Sequence, residues 1–211
     1  MIGDKLVITD YHRAGAAKAM EHVRGRLGEG GFAISVSGES GSGKSETAHC
    51  LAELLEKEGR KVVILAQDDY FRIPPKTNAK YRRTDILWVG PHEVNLDLMS
   101  RNVKQIKGGA SSFVKNLVNF DEDHIGGEVV EGGPWDVVIA EGTYVSMLQG
   151  LNVRVFIDRT YHQTKKARLK RAREEVEGSF IEQVLEIEHR VIANEKPGAD
   201  VVIPPPPEEA E

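Results

Sequence analysis

Residues 38–45, which read Gly-Glu-Ser-Gly-Ser-Gly-Lys-Ser, constrain this chain more than any other segment. They match the phosphate-binding loop pattern G-x-x-x-x-G-K-[ST] in full. An apolar run at residues 32–37 precedes the loop, and a stretch with helical periodicity at 47–55 follows it. Glycines in such a loop let successive backbone N–H groups point at one phosphate, and the following helix adds its positive N-terminal end. The segment therefore predicts a strand–loop–helix unit that binds a nucleotide.

Two side chains of the loop have separate predicted tasks. Lys44 reaches the β- and γ-phosphates as a point charge, and the Ser45 hydroxyl ligates Mg²⁺. A chance Gly/Ser-rich turn is the alternative, and the flanking strand and helix signals argue against it. The nucleotide-binding residues that we predict here are Gly38, Glu39, Ser40, Gly41, Ser42, Gly43, Lys44, Ser45 and Thr47.

The rest of the chain alternates between strand and helix signals. Apolar, β-branched runs without polar alternation are typical of strands buried on both faces of a parallel sheet. They predict strands at 32–37, 61–66, 136–140, 153–157 and 200–203, and helical periodicity predicts helices at 10–27, 47–58, 93–106, 164–175 and 180–193. This order predicts the α/β class with a doubly wound parallel sheet, an α/β/α sandwich in one domain over residues 1–211.

Composition narrows the choice of partners. The formal net charge of −5 gives no support to a nucleic acid or a membrane surface as partner. No apolar run approaches the roughly 20 residues of a membrane span, and the first residues lack the order of a signal peptide. The one cysteine, Cys50, lies on the helix after the loop, where we expect a small buried side chain. These features favour a cytoplasmic protein.

Acids follow two of the predicted strands. Asp68 and Asp69 come directly after the second strand, and Glu141 follows the strand at 136–140. Ligands of this fold class bind outside the carboxyl ends of the strands. We predict that Asp68 accepts the proton of an alcohol and that Ser45, Asp68 and Glu141 form the Mg²⁺ site. The alternative is that the aspartates cap a turn and that Glu141 forms an ion pair.

A basic helix follows the strand at 153–157. Lys165, Arg168 and Arg171 share one of its faces at a spacing of three residues. Such side chains can close over a triphosphate and stabilise the charge of the transition state, so Arg168 is a predicted catalytic residue and Arg171 a predicted nucleotide ligand. A solvated face balanced by Glu174 and Glu175 is the alternative.

Taken together, these segments resemble the uridine kinase and phosphoribulokinase family of P-loop small-molecule kinases. The resemblance covers most of residues 32–203; its pieces are the loop, QDDYFR at 67–72, DVVIAEG at 136–142, RVFID at 154–158 with the basic helix, and ADVVIP at 199–204. It implies a P-loop kinase fold with a helical lid at about 160–178, a catalytic base at Asp68 and a metal-organising acid at Glu141. It also implies ATP and Mg²⁺ as cofactors, Lys44 among the catalytic residues, and an adenine site beside residues 199–204.

The half of the site that would hold the acceptor departs from this family. Val89 stands where the family has an acid that binds ribose hydroxyls, residues 116–121 depart from its Pro-x-Tyr-Asp segment, and the lid turn at 176–179 lacks its arginines. We expect an acceptor-binding region at about 81–131 for a nucleoside, a sugar phosphate or a similar alcohol. The candidate acceptor ligands are Tyr70, Arg72, His92 and Asp121.

Other arrangements stay open at this stage. The N-terminal helix at 10–28 and a flexible proline-rich tail at 204–211 flank the kinase-like part, and a homo-oligomer is an open alternative. The other functional class is a nucleotide-binding regulatory P-loop protein or an ATPase without small-molecule kinase activity. Asp68 argues against it, since a protein that only binds nucleotide has no use for a base at that strand end.

Overall fold

The computed structural model describes residues 6–28, 30–171 and 178–207, except for the side chains of 167, 170 and 171. Its strands are β1 Phe32–Gly38, β2 Val62–Ala66, β3 Ser112–Asn119, β4 His124–Glu131, β5 Val137–Gly142, β6 Val153–Ile157 and β7 Val201–Ile203. Its α-helices are α1 Asp10–Arg24, α2 Lys44–Lys57, α3 Pro75–Thr84, α4 Leu96–Lys107, α5 Lys165–Arg171 and α6 Ser179–Ala193.

Five strands form a parallel sheet in the order β2-β5-β1-β6-β7. Side chains alternate between the two faces of each strand, so Ile34 of β1 packs with α1 and α2 while its neighbour Ala33 packs with α4 and α6. Both faces of the sheet are covered, which explains why its strands are almost continuously apolar. The predicted doubly wound α/β/α sandwich is confirmed.

Three helix boundaries differ from the sequence prediction by three residues, and one of them is the start of α2 at Lys44 rather than at 47. Helix α1 ends at Arg24 rather than at residue 27, with Gly25 at its C-cap. Helix α4 starts at Leu96 rather than at 93, because the Asn95 side chain accepts a hydrogen bond from Leu98 N at 3.1 Å and caps the helix there. Residues Pro91–Glu93 form a separate 3₁₀ turn.

The region at 81–131 contains an antiparallel hairpin of β3 and β4 outside the main sheet. Asp69, at the end of β2, attaches it to the sheet: its carboxylate accepts from Lys115 Nζ at 2.8 Å and from Val118 N at 3.3 Å. Phe113 of β3 also packs edge-on against Trp135, with ring centroids 5.5 Å apart. The hairpin is therefore held close to the carboxyl end of β2.

Two further expectations concern burial and membranes. Cys50 is 3 % exposed, and burial raises the pKa of its thiol, as expected for a small side chain in the core. Across the described residues, every helix is too short or too polar to cross a bilayer.

Candidate active site

The phosphate loop joins β1 to α2 in a conformation that requires glycine at three points, Gly38, Gly41 and Gly43, and the last two face neighbouring helices. Gly41 has φ +76°, and a Cβ there would lie 2.9 Å from Cγ of Arg168. Gly43 has φ +95°, and a Cβ there would lie 2.5 Å from Nε2 of His12. These glycines therefore permit both the left-handed backbone and the close approach of α5 and α1 to the loop.

Lys44 and Ser45 begin α2 directly after the loop. Lys44 Nζ donates to the backbone oxygen of Glu39 at 2.8 Å, which folds its side chain back along the loop. Thr47, in the first turn of α2, is 1 % exposed and donates its backbone N–H to Gly43 O at 2.9 Å. The Thr47 hydroxyl is buried and has no hydrogen-bond partner in the described part of the chain.

The side chains of Glu141 and Ser45 meet at the carboxyl end of β5, which lies between β1 and β2 in the sheet. The register places Glu141 of β5 beside Val36 of β1 and Ala66 of β2, and its Oε2 accepts from Ser45 Oγ at 3.1 Å. A hydroxyl and a carboxylate at this distance are hard oxygen ligands of the kind that Mg²⁺ takes, with the remaining positions left to phosphate and water. No cluster of three histidine, cysteine or acidic side chains suited to a metal occurs among the described residues. The pair thus fits Mg²⁺ held jointly with a nucleotide.

The two aspartates after β2 have different environments. Both lie in the 3₁₀ turn Gln67–Tyr70, but Asp69 is 5 % exposed and bound to the hairpin, while Asp68 is partly exposed. Asp68 is two residues beyond Ala66, which pairs in register with Glu141. Asp69 therefore has a structural role as the acceptor for β3, and Asp68 lies near the sheet edge that carries the loop.

Arg168 of the basic helix lies against the phosphate loop. Its Nη1 donates to Tyr161 O at 2.5 Å and to Thr164 Oγ1 at 2.7 Å, and Thr164 Oγ1 donates in turn to Ser40 O at 2.8 Å. Burial lowers the pKa of the Arg168 guanidinium from its usual range. Lys165 is exposed, and the side chain of Arg171 lies outside the described residues, as do residues 172–177 of the predicted lid.

A second arginine beside the loop escaped the sequence reasoning. Arg159, 9 % exposed, donates from Nη1 to Ser42 O at 3.2 Å and lies over the Tyr11 ring at 5.1 Å. Its position two residues after β6, at the carboxyl edge of the sheet, was the available signal. The loop is therefore flanked by one arginine from the β6 end and one from α5.

A cleft of about 460 Å³ opens beside the turn that carries Asp68. The Arg72 guanidinium has no hydrogen bond or ion pair with any described residue, and neither does the His124 ring. The lining residues are Phe71, Arg72, Pro74, Asn95, Asn116, His124 and Ile125. Four of these seven residues are polar or charged and three are apolar, so the cleft offers mainly hydrogen-bonding groups to a small polar ligand.

The other three candidate acceptor ligands do not line that cleft. Tyr70 is fully buried, and burial raises the pKa of its phenol. The exposed His92 ring packs edge-on to Trp88 at 5.0 Å, and Asp121 is exposed in the turn of the hairpin. Of the four predicted acceptor ligands, the cleft contains Arg72.

Glu93, which the sequence reasoning treated only as a helix start, is 1 % exposed and binds three donors. Its carboxylate accepts from Asn78 Nδ2 at 2.6 Å, from Gly90 N at 2.8 Å and from Arg82 Nη2 at 2.7 Å. Arg82 also pairs with Glu188 of α6 at 3.2 Å. The network holds α3 and the turn at Pro91–Glu93 to α6.

Comparison with known proteins gives a consistent picture. The model of the Phosphoribulokinase / Uridine kinase family matches residues 33–210. A uridine kinase from Staphylococcus epidermidis is 25% identical over 184 residues, which are 81% of this chain and 86% of that protein. The bifunctional alpha-galactosidase/sucrose kinase AgaSK from Mediterraneibacter gnavus is also 25% identical, over 81% of this chain but 20% of its own length.

One solved structure illustrates the likeness of fold. A possible uridine kinase from Bacillus stearothermophilus superimposes with a TM-score of 0.62 at 18% identity, covering 90% of this chain and 98% of that one. Helix α1 lies before the residues that the family model matches.

Proposed function

Because the chain belongs to the phosphoribulokinase / uridine kinase family and is an ATP-dependent small-molecule kinase, we propose that it transfers the γ-phosphate of ATP to a hydroxyl of an anionic small molecule. The observation that carries the choice of acceptor is the guanidinium of Arg72, which lines the cleft beside Asp68 without a partner among the described residues. A guanidinium that presents five donors to a cleft is suited to a carboxylate or phosphate group.

The donor half of the site consists of the loop and the groups around it. Ser45 and Glu141 would hold Mg²⁺, which when bound draws charge from the β- and γ-phosphates. Lys44 leaves its bond to Glu39 O to reach the phosphates, while Arg168 and Arg159 place positive charge at the loop. These groups bind and orient the triphosphate, and fixed positive charge at this point stabilises the transition state.

The acceptor half depends on Asp68. As the alcohol oxygen attacks the γ-phosphorus, its proton must go to a base within hydrogen-bond reach. Asp68 belongs to the 3₁₀ turn that directly precedes Phe71 and Arg72 of the cleft, which supports a role as the base for a hydroxyl of an acceptor bound by Arg72. Asp69 is not available for this task because it is bound to Lys115.

Both Arg72 and the valine at position 89 favour an anionic acceptor over uridine. The relatives include enzymes named uridine kinase and sucrose kinase, so acceptors differ among them. Val89, in place of the expected ribose-binding acid, is 5 % exposed and offers no hydrogen bond from its side chain. A phosphorylated or carboxylated polyol satisfies both the guanidinium and the polar amides of Asn95 and Asn116.

The test is ADP release from ATP and Mg²⁺ in the presence of nucleosides, neutral sugars, sugar phosphates and sugar acids. We expect the anionic compounds to stimulate turnover most, and Asp68→Asn to lower that turnover at least about a hundredfold, the usual contribution of a general base. The exposed Asp97→Asn is the matched control and should leave the rate unchanged. ADP release that no acceptor stimulates, and that Asp68→Asn leaves intact, would instead identify an ATPase or a regulatory nucleotide-binding protein.

We also propose a cytoplasmic location. Cys50, the one cysteine of the chain, is a free thiol in the core, which is in keeping with a reducing compartment. Labelling of the native protein with a thiol reagent should be slow, and becomes complete in urea when the core opens.

A further inference from the structure

The phosphate loop contains a carboxylate, which is an unusual group to place beside a triphosphate. Glu39 is the second residue of the loop and is 7 % exposed. The hydrogen bond from Lys44 goes to the backbone oxygen of Glu39, so it does not explain where the side chain points. A negative charge there repels the phosphates unless other groups hold it aside and offset it.

Both carboxylate oxygens of Glu39 bind donors from outside the loop. The backbone N–H of Tyr161 donates to Oε2 at 2.5 Å, and His189 Nδ1 of helix α6 lies 2.7 Å from Oε1. A carboxylate can only accept, so the hydrogen of the second bond is on Nδ1 of the imidazole. His189 is 150 residues further along the chain, and its side chain is 35% exposed.

The same pair of donors belongs to a network that reaches the basic helix. Tyr161 accepts from Arg168 at its backbone oxygen, and its hydroxyl donates to Glu186 Oε2 at 2.9 Å. The Tyr161 ring also packs edge-on to the His189 ring, with centroids 5.8 Å apart. Glu39 is thus the point at which the loop, the segment before α5 and helix α6 are joined.

We propose that His189 is a positioning residue of the nucleotide site. With the Tyr161 amide, it holds the Glu39 carboxylate turned away from the backbone N–H groups of the loop and offsets its charge, so that the loop is ready for a triphosphate. The inference rests on the proposed use of ATP, but not on the identity of the acceptor.

The experiment is calorimetric binding of the non-hydrolysable analogue β,γ-imido-ATP with Mg²⁺, which needs no acceptor and no turnover. We expect His189→Ala to weaken binding about tenfold, the size of effect expected from one carboxylate released beside the phosphates. His189→Asn, whose amide N–H₂ can take the place of Nδ1–H, should retain most of the affinity. Gln183→Ala, an exposed position on α6 outside this network, is the control and should bind as the wild type does.

A second substitution separates electrostatics from simple packing. Glu39→Gln removes the charge, so in the His189→Ala background it should restore affinity to within about threefold of wild type. AMP, which has a single phosphate, should show a smaller loss on His189→Ala than the triphosphate analogue does. A purely structural His189 would give losses that Glu39→Gln does not repair and that are the same for AMP.

The outcomes also distinguish this inference from the proposed function. Failure of the wild type to bind the analogue would overturn the proposed use of ATP itself. Wild-type binding with an unchanged His189→Ala affinity, or no rescue by Glu39→Gln, would overturn the role of His189 alone. If His189→Ala does not fold by circular dichroism, His189→Leu keeps the bulk without the donor and takes its place in the same cycle.

Discussion

Removal of the buried carboxylate of Glu93 should strongly destabilise the protein, because this one group serves three donors. Glu93 is 1 % exposed and accepts from Asn78, Gly90 and Arg82, whose side chain is 13% exposed. In Glu93→Ala the amide of Asn78 and the N–H of Gly90 lose their acceptor where water has little access. Arg82 retains Glu188 but loses its closer partner.

The expected magnitude follows from that inventory. Each buried donor left without an acceptor costs about 1–3 kcal/mol. Removing one partner of a buried charge pair costs about 3–5 kcal/mol, and this figure already includes part of the cost of the donors that lose their acceptor. We therefore expect Glu93→Ala to lower the free energy of unfolding by about 4 kcal/mol. Glu93→Gln keeps one acceptor oxygen and should lose about half as much.

Urea unfolding at 25 °C, followed by circular dichroism, measures these values. The control is Glu58→Ala, because the pair between Arg24 and Glu58 has the same chemistry at the surface, with side chains 58% and 35% exposed. That control should lose at most about 1 kcal/mol. A loss below about 1 kcal/mol for Glu93→Ala would refute the argument that burial makes this network expensive to break.

Three further outcomes are expected. Ser45→Ala should raise the Mg²⁺ concentration needed for half-maximal turnover, measured by metal titration; an unchanged titration would contradict a metal site at Ser45 and Glu141. Arg72→Ala should raise KM for an anionic acceptor about tenfold or more while leaving KM for ATP unchanged, measured by steady-state kinetics; equal changes in both would remove Arg72 from the acceptor cleft. Burial of Asp123 raises its pKa, but hydrogen bonds from Thr77 and from the amide of Lys76 outweigh burial and hold the pKa below its usual range. The stabilisation that Asp123 gives to α3 is therefore complete above the unfolded pKa of about 3.9, and it is lost as pH falls through the lower folded pKa. Asp123→Asn should therefore lower the free energy of unfolding by about 1 kcal/mol at pH 7 and remove that part of the acid dependence, as urea unfolding at neutral and at acid pH would report.

The parts of the site that could be predicted are those that depend on local sequence. The loop at 38–45 has a conformation that only its glycine spacing permits, and the strands are apolar runs whose lengths match the sheet, as at Val153–Ile157. Asp68 and Glu141 could be placed because the carboxyl ends of parallel strands meet at one edge of the sheet. Short-range rules therefore indicated which side chains lie at this edge of the sheet, while the roles of these side chains stay predictions.

Most of the lining of the proposed acceptor cleft could not be predicted in this way, although Arg72 was among the predicted ligands. Arg72 and His124 line the same cleft although α4 and β3 lie between them in the sequence. Tyr70, two residues before Arg72, is buried in the core instead. Periodicity predicted a helix that starts at Glu93, whereas its buried carboxylate accepts hydrogen bonds from Asn78 and Arg82 of α3 and from the backbone of Gly90. A pattern of residue types does not report which of two neighbouring side chains faces the solvent in irregular backbone.

By itself the sequence determined the α/β class, the phosphate loop and the strand-end acids, because each depends on the spacing of a few neighbouring residues. Only the tertiary structure decided that Asp69 holds the hairpin, and that His189 meets Glu39 from 150 residues away. Such contacts depend on how the helices pack across the sheet and on the conformation of the loops that connect them. The local sequence thus predicts a nucleotide-binding loop, and long-range packing determines what surrounds it.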